Sequence, residues 1–150
     1  MAYGQNSNTG SSKYLVYNLT ELVNHANNAS ATYNQRYQLV TEYFKPGGPI
    51  LFTQSAENTL APIEDGNTMD MADELGAIVA NLEHRYFGTS VPESFDGSME
   101  SFKPLTLENV REDAVQFIEF LKRTIPGAAQ SPVVVTGDSW GLVPSSRLSD

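Results

Sequence analysis

The sequence has 150 residues, a net charge of -9, 40% hydrophobic residues and no cysteine. That length supports one domain with a real core. The acidic balance, with nine Lys and Arg scattered along the chain, argues against a nucleic-acid partner, and a chain without cysteine has neither disulfides nor thiolate metal sites.

No apolar run approaches the roughly 18 residues of a membrane span. The N-terminus as written has no basic start and no apolar core of a signal peptide. Two Asn-x-Ser/Thr sequons stand at Asn18 and Asn28; they are possible N-glycosylation sites only if the chain enters a secretory pathway.

In chain order, residues 1–12 are polar and aperiodic and read as a flexible tail. YLVYNLTELVNHANN is ambiguous between a short helix and a loop. Residues 32–44 alternate apolar and polar and predict a strand or a hairpin. KPGGP, 45–49, is a turn. ILFTQ is a short apolar strand, followed by the polar loop SAENTLAPIEDGN. Residues 68–76 predict a helix with Thr68 as N-cap and Gly76 as stop. AIVANLEHRYFG is a strand ending in charged residues, and TSVPESFDGSMESFKP is a long loop. LTLENVREDAVQFIEFLKRTI is the clearest helix. Thr106 can cap it, and Leu107, Val110, Ala114, Phe117, Ile118, Leu121 and Ile125 share one face. Pro126 and Gly127 end it, and the strand PVVVTG follows. Strands alternating with helices imply crossovers, a parallel sheet and an α/β fold.

VVVTGDSWG, 133–141, runs a β-branched strand into Gly-x-Ser-x-Gly. The motif alone arises by chance in about one such chain in twenty. After a buried strand it has the spelling of a nucleophile elbow, with Ser139 at the tip. Side chains at Gly137 and Gly141 would collide across so sharp a turn. The Trp140 N–H would be half of an oxyanion hole, and the other half would come from the loop TQSAEN, 53–58. An ordinary Gly-rich turn after a core strand is the alternative.

A second stretch, NLEHRYFGTSVP, resembles the Glu-His-Arg-Tyr-Tyr-Gly-x-Ser-x-Pro signature of the lysosomal Pro-X carboxypeptidase family of serine peptidases. It matches at Glu83, His84, Arg85, Tyr86, Gly88, Ser90 and Pro92, with Phe87 for the second Tyr. NHANNASATYNQRYQL is similar to the family's opening at His25, Gln35, Arg36 and Tyr37, and YFKPGGPILF to its Gly-Gly-Pro strand. The resemblance covers 20–141. It implies an α/β-hydrolase with a Ser-Asp-His triad, no cofactor, and a peptide substrate cleaved near Pro or small residues. Location would be secreted, vacuolar or lysosomal. Ser139 matches the nucleophile and Glu57 the Glu of the Gly-Asn-Glu loop. Trp140 replaces a Tyr, Leu142 a Gly and Ala56 an Asn.

In α/β-hydrolases the triad runs Ser, Asp, His, so both partners of Ser139 are expected beyond Asp150. His25 and His84 are expected to be structural, hydrogen-bonded histidines. Residues 142–150 resemble nothing in the family, and Pro144 interrupts any helix there. The chain therefore reads as the N-terminal half of a peptidase, with 13–141 as a partial hydrolase domain, inactive alone. An esterase shares the elbow but does not need EHRYFG. A non-catalytic binding module is the reading from another class. Carboxypeptidase or dipeptidyl-peptidase specificity, and oligomeric state, stay open at this point.

Overall fold

The computed structural model describes residues 15–63 and 66–136. The expected tails at 1–12 and 142–150, and the motif at 137–141, lie outside them. The elements are β1 (Val16–Leu22), β2 (Thr32–Val40), β3 (Ile50–Gln54), α1 (Asn67–Leu75), β4 (Ile78–Leu82), α2 (Leu107–Thr124) and β5 (Val133–Thr136). The five strands form one sheet in the order β1-β2-β4-β3-β5. β2 is antiparallel to both neighbours, while β3 is parallel to β4 and to β5. Four strands therefore point one way and β2 opposes them. This is the α/β class that the alternation of strands and helices implies.

The two helices cover opposite faces. On β3 and β4, alternate residues face opposite sides. Ile50, Phe52, Ile78, Ala80 and Leu82 meet Ala114, Phe117, Ile118 and Leu121 of α2 in the larger core. Leu51 and Val79 meet Met69 and Ala72 of α1 in the smaller one. All five β4 residues are buried, as expected of a strand covered on both faces. Among the described residues β5 is an outer strand, and its Val134 is 43% exposed. No described helix is long and apolar enough to cross a membrane.

Three expectations are corrected. The segment read as helix or loop forms strand β1, because its seven residues pair in register with β2 and Tyr17 stacks on Tyr37. Thr68 is not the cap of α1. The helix starts at Asn67 with Gly66 at the N-cap and no side-chain bond, and the Gly66 carbonyl accepts from the Met69 and Asp70 amides. Leu107 is half exposed, whereas Asn109 and Asp113 are buried, because the N-terminal half of α2 packs on polar groups. Thr106 does cap α2, its hydroxyl accepting from the Asn109 amide at 3.2 Å. Gly76 does stop α1, at φ 63 in the left-handed region.

Phe117 sits at the centre of the larger core, with ring centroids 4.9 Å from Tyr37 and 6.0 Å from Phe52. Phe117→Ala is expected to cost about 3–5 kcal/mol. Urea unfolding measures it, and a loss below about 1 kcal/mol would show that this contact does not hold α2 to the sheet.

Candidate functional site

β3, β4 and β5 run parallel, so their C-terminal ends share one edge of the sheet. Ligands of open α/β sheets bind outside that edge. β3 and β5 finish side by side, and the Thr53 and Thr136 hydroxyls lie 2.7 Å apart. Glu57 is exposed in the loop after β3. Ser139 and Trp140 lie outside the described residues, three and four residues past the end of β5 in sequence.

The EHRYFG signature follows β4 at the same edge. Glu83 is fully buried. Its carboxylate accepts from Arg36 Nε at 3.0 Å and Nη2 at 2.6 Å, from the Ser90 hydroxyl at 2.6 Å and from the Leu60 amide at 2.6 Å. Burial pulls its pKa up, but the bonds from Arg36, Ser90 and Leu60 and the Arg36 charge outweigh burial and hold it below the ordinary value. Gly88, at φ 57, closes the turn over this carboxylate; a Cβ there would collide with it. Tyr86 has φ 68, and its hydroxyl donates to the Ser101 carbonyl at 2.9 Å. His84 is buried, its Nδ1 2.8 Å from the Arg85 carbonyl and its ring edge-on to Phe87.

Arg85 is the centre of a second buried cluster. Its Nε and Nη2 donate to the two oxygens of Asp113 at 2.7 Å each. Its remaining donors reach the Val23, Pro104 and Leu22 carbonyls at 2.8, 2.9 and 3.1 Å. All five guanidinium N–H groups are thus satisfied. Burial opposes the charge, but bonding and attraction to Asp113 outweigh it and raise the pKa. Asp113 also accepts from the Tyr33 hydroxyl at 3.1 Å and lies 2.7 Å from His25 Nε2.

Glu21 lies 3.8 Å from His25 Nε2, and Glu21, His25 and Asp113 bring ligand-type atoms within 4.8 Å of one another. Arg85 already occupies both Asp113 oxygens, so a cation there would compete with the guanidinium. Burial, then repulsion from Asp113, pushes the Glu21 pKa from 4.5 to about 7. A groove of about 970 Å³ between β1, the following turn and α2 is lined in part by Glu21 and His25.

The candidate residues therefore fall into separate groups. Glu83 and Gly88 share one cluster, Arg85 and His25 another, and Glu57 stands on a loop tip. Asn18 is half buried opposite Arg36 in β1, and Asn28 is exposed in the turn before β2. Sequence reasoning missed Asp113. Its signal was a charge inside the apolar stripe of α2, three residues after Val110 and four before Phe117.

The serine carboxypeptidase S28 family model matches residues 21–148, so the match runs past the expected limit at 141 and takes in most of the stretch 142–150 that the motifs left out. The chain belongs to this family. It is 38% identical over 135 residues to the human lysosomal Pro-X carboxypeptidase, covering 85% of this chain and 27% of that protein. A protein described as a probable extracellular serine carboxypeptidase of Arthroderma benhamiae is 28% identical over 109 residues, 70% of this chain and 15% of that one. The chain thus spans about a quarter or less of these curated relatives. Among solved structures, a cold-adapted esterase from an Arctic intertidal metagenomic library matches with TM-score 0.54 and 12% identity, over 97% of this chain and 58% of that one. That likeness shows the α/β-hydrolase fold. The S28 signature residues thus stand on a hydrolase sheet, at its C-terminal edge.

Removing one partner of a buried pair leaves a bare charge. Asp113→Ala is expected to cost about 3–5 kcal/mol in urea unfolding; a loss below about 1 kcal/mol would show that the chain does not need the pair.

Glu21 gives a pH dependence of defined sign. The folded state keeps its proton up to about pH 7, while the unfolded carboxyl releases it near 4.5. Its favourable term is complete below 4.5 and lost as pH rises through 7. Glu21→Gln is expected to flatten that decline, read as unfolding free energy at pH 5 and pH 8. Parallel pH profiles for both proteins would refute the assignment.

Proposed function

We propose that this chain carries the nucleophile of a serine exopeptidase, with Ser139 attacking the scissile carbonyl to form an acyl-enzyme. One observation carries the reading: the family match includes GDSWG, and the strand before it, β5, lies parallel to and in register with β3. A strand leading into Gly-x-Ser-x-Gly is the first half of the strand-to-helix context an elbow requires. The Trp140 N–H and the loop after β3 would stabilise the oxyanion. His25 is engaged by Asp113 and His84 lies against the Arg85 carbonyl. Neither serves as the base in this reading, so residues 1–150 by themselves would be inactive.

The substrate would be a peptide cut near Pro, as the name Pro-X carboxypeptidase suggests for the human relative, or near a small residue. Carboxypeptidase and dipeptidyl-peptidase chemistry share this nucleophile. The working compartment would be lysosomal, vacuolar or extracellular, where an Asn28 glycan would be accommodated on its exposed turn.

In the intact protein, Ser139→Ala is expected to lower turnover of a Pro-containing peptide by at least about a thousandfold. It should also abolish covalent labelling by a fluorophosphonate. Labelling that survives the substitution would place the nucleophile elsewhere.

A further inference from the structure

We propose that Asn81, assisted by Glu83, is a positioning residue that braces the loop after β3 into the shape the oxyanion site needs. The inference rests on the reading of Ser139 and that loop given above.

The loop leaves β3 after Gln54 and leads on to α1 at Asn67. Its Ser55 and Ala61 are joined through one side chain. Asn81 Oδ1 accepts from the Ser55 hydroxyl at 2.9 Å, and Asn81 Nδ2 donates to the Ala61 carbonyl at 2.7 Å. A carbonyl can only accept, so the amide's orientation is fixed by its partners. Asn81 is 6% exposed and Ser55 5%, so water does not readily replace either bond.

Further ties lie on both sides of this bridge. The Ser55 amide donates to the Leu82 carbonyl at 2.9 Å. The Leu60 amide donates to Glu83 at 2.6 Å, and Arg36 Nη2, itself bonded to Glu83, donates to the Thr59 hydroxyl at 3.2 Å. Leu60 is buried beside them. Glu57, Asn58 and Thr59 between the ties are exposed, as are Ala61 and Pro62. A short tip therefore stands on two fixed feet, beside the end of β5.

The bridge needs an acceptor and a donor on two atoms of one short side chain. Ionised Asp supplies only the acceptor, Ala supplies neither, and Ser has both on a single oxygen. The expected cost of a loosened loop follows from orientation: a displacement near 1 Å can lower a rate about a hundredfold.

The experiment uses the intact protein and three variants: Asn81→Ala, Ser55→Ala and Ser139→Ala. Asn81→Ala is expected to lower kcat on a Pro-containing peptide by about a hundredfold with KM little changed. Deuterium uptake of amides 55–60 should rise, while uptake in α2 stays as in the wild type. Ser55→Ala removes one foot only. It is expected to lower kcat about tenfold, and it carries the test if Asn81→Ala does not fold. Unaltered kcat in the folded bridge variants, beside a dead Ser139→Ala, would overturn this inference alone. Full turnover by Ser139→Ala would remove the nucleophile reading and this inference with it.

Discussion

The guanidinium of Arg85 is the group around which the rest is arranged. It is fully buried, and a bare cation there would be untenable. Its five bonds recruit the end of β1, the segment before α2 and the middle of α2 itself. Such a pair adds little stability over apolar packing, because two desolvation costs offset the attraction. Its effect is on alternatives. Any packing that shifts α2 by a turn leaves Arg85 or Asp113 unpaired in the interior. The polar N-terminal half of α2 and the apolar C-terminal half thus fix the same placement by different means.

Glu83, two residues earlier, plays the complementary part with the sign reversed. Its carboxylate gathers donors from β2, from the loop after β3 and from the turn after β4. The positive φ of Gly88 lets the chain close over it. Together the two charges explain why EHRYFG is dense in groups that carry chemistry elsewhere. Here Glu83 and Arg85 are engaged by neighbours, and the reacting groups are sought at the ends of β3 and β5.

Much of the fold was legible. ILFTQ, the Thr106 cap and the Gly76 stop are local signals, decided within a few residues, and the structure places all three where the sequence did. β1 was not legible, since VYNLTEL is a strand only because β2 is there to pair with it. The buried polar residues were harder still. Asp113 and Asn81 drew no expectation from the sequence, because their partners lie 28 and 26 residues away. The signature itself was readable as a motif, but its residues' work as hydrogen-bond hubs was visible only in three dimensions.

The strand order also sets a sequence of assembly. β1 and β2 meet across a short connection, Leu22 opposite Thr32. β3 and β5 meet across 83 residues. Closing the longer loop costs about 2 kcal/mol more in chain entropy, and α2 must already cover the sheet before β5 has a complete surface to join. Long-range parallel pairing of this kind is slow. Among the five described strands, β5 is therefore expected to be the last to find its place.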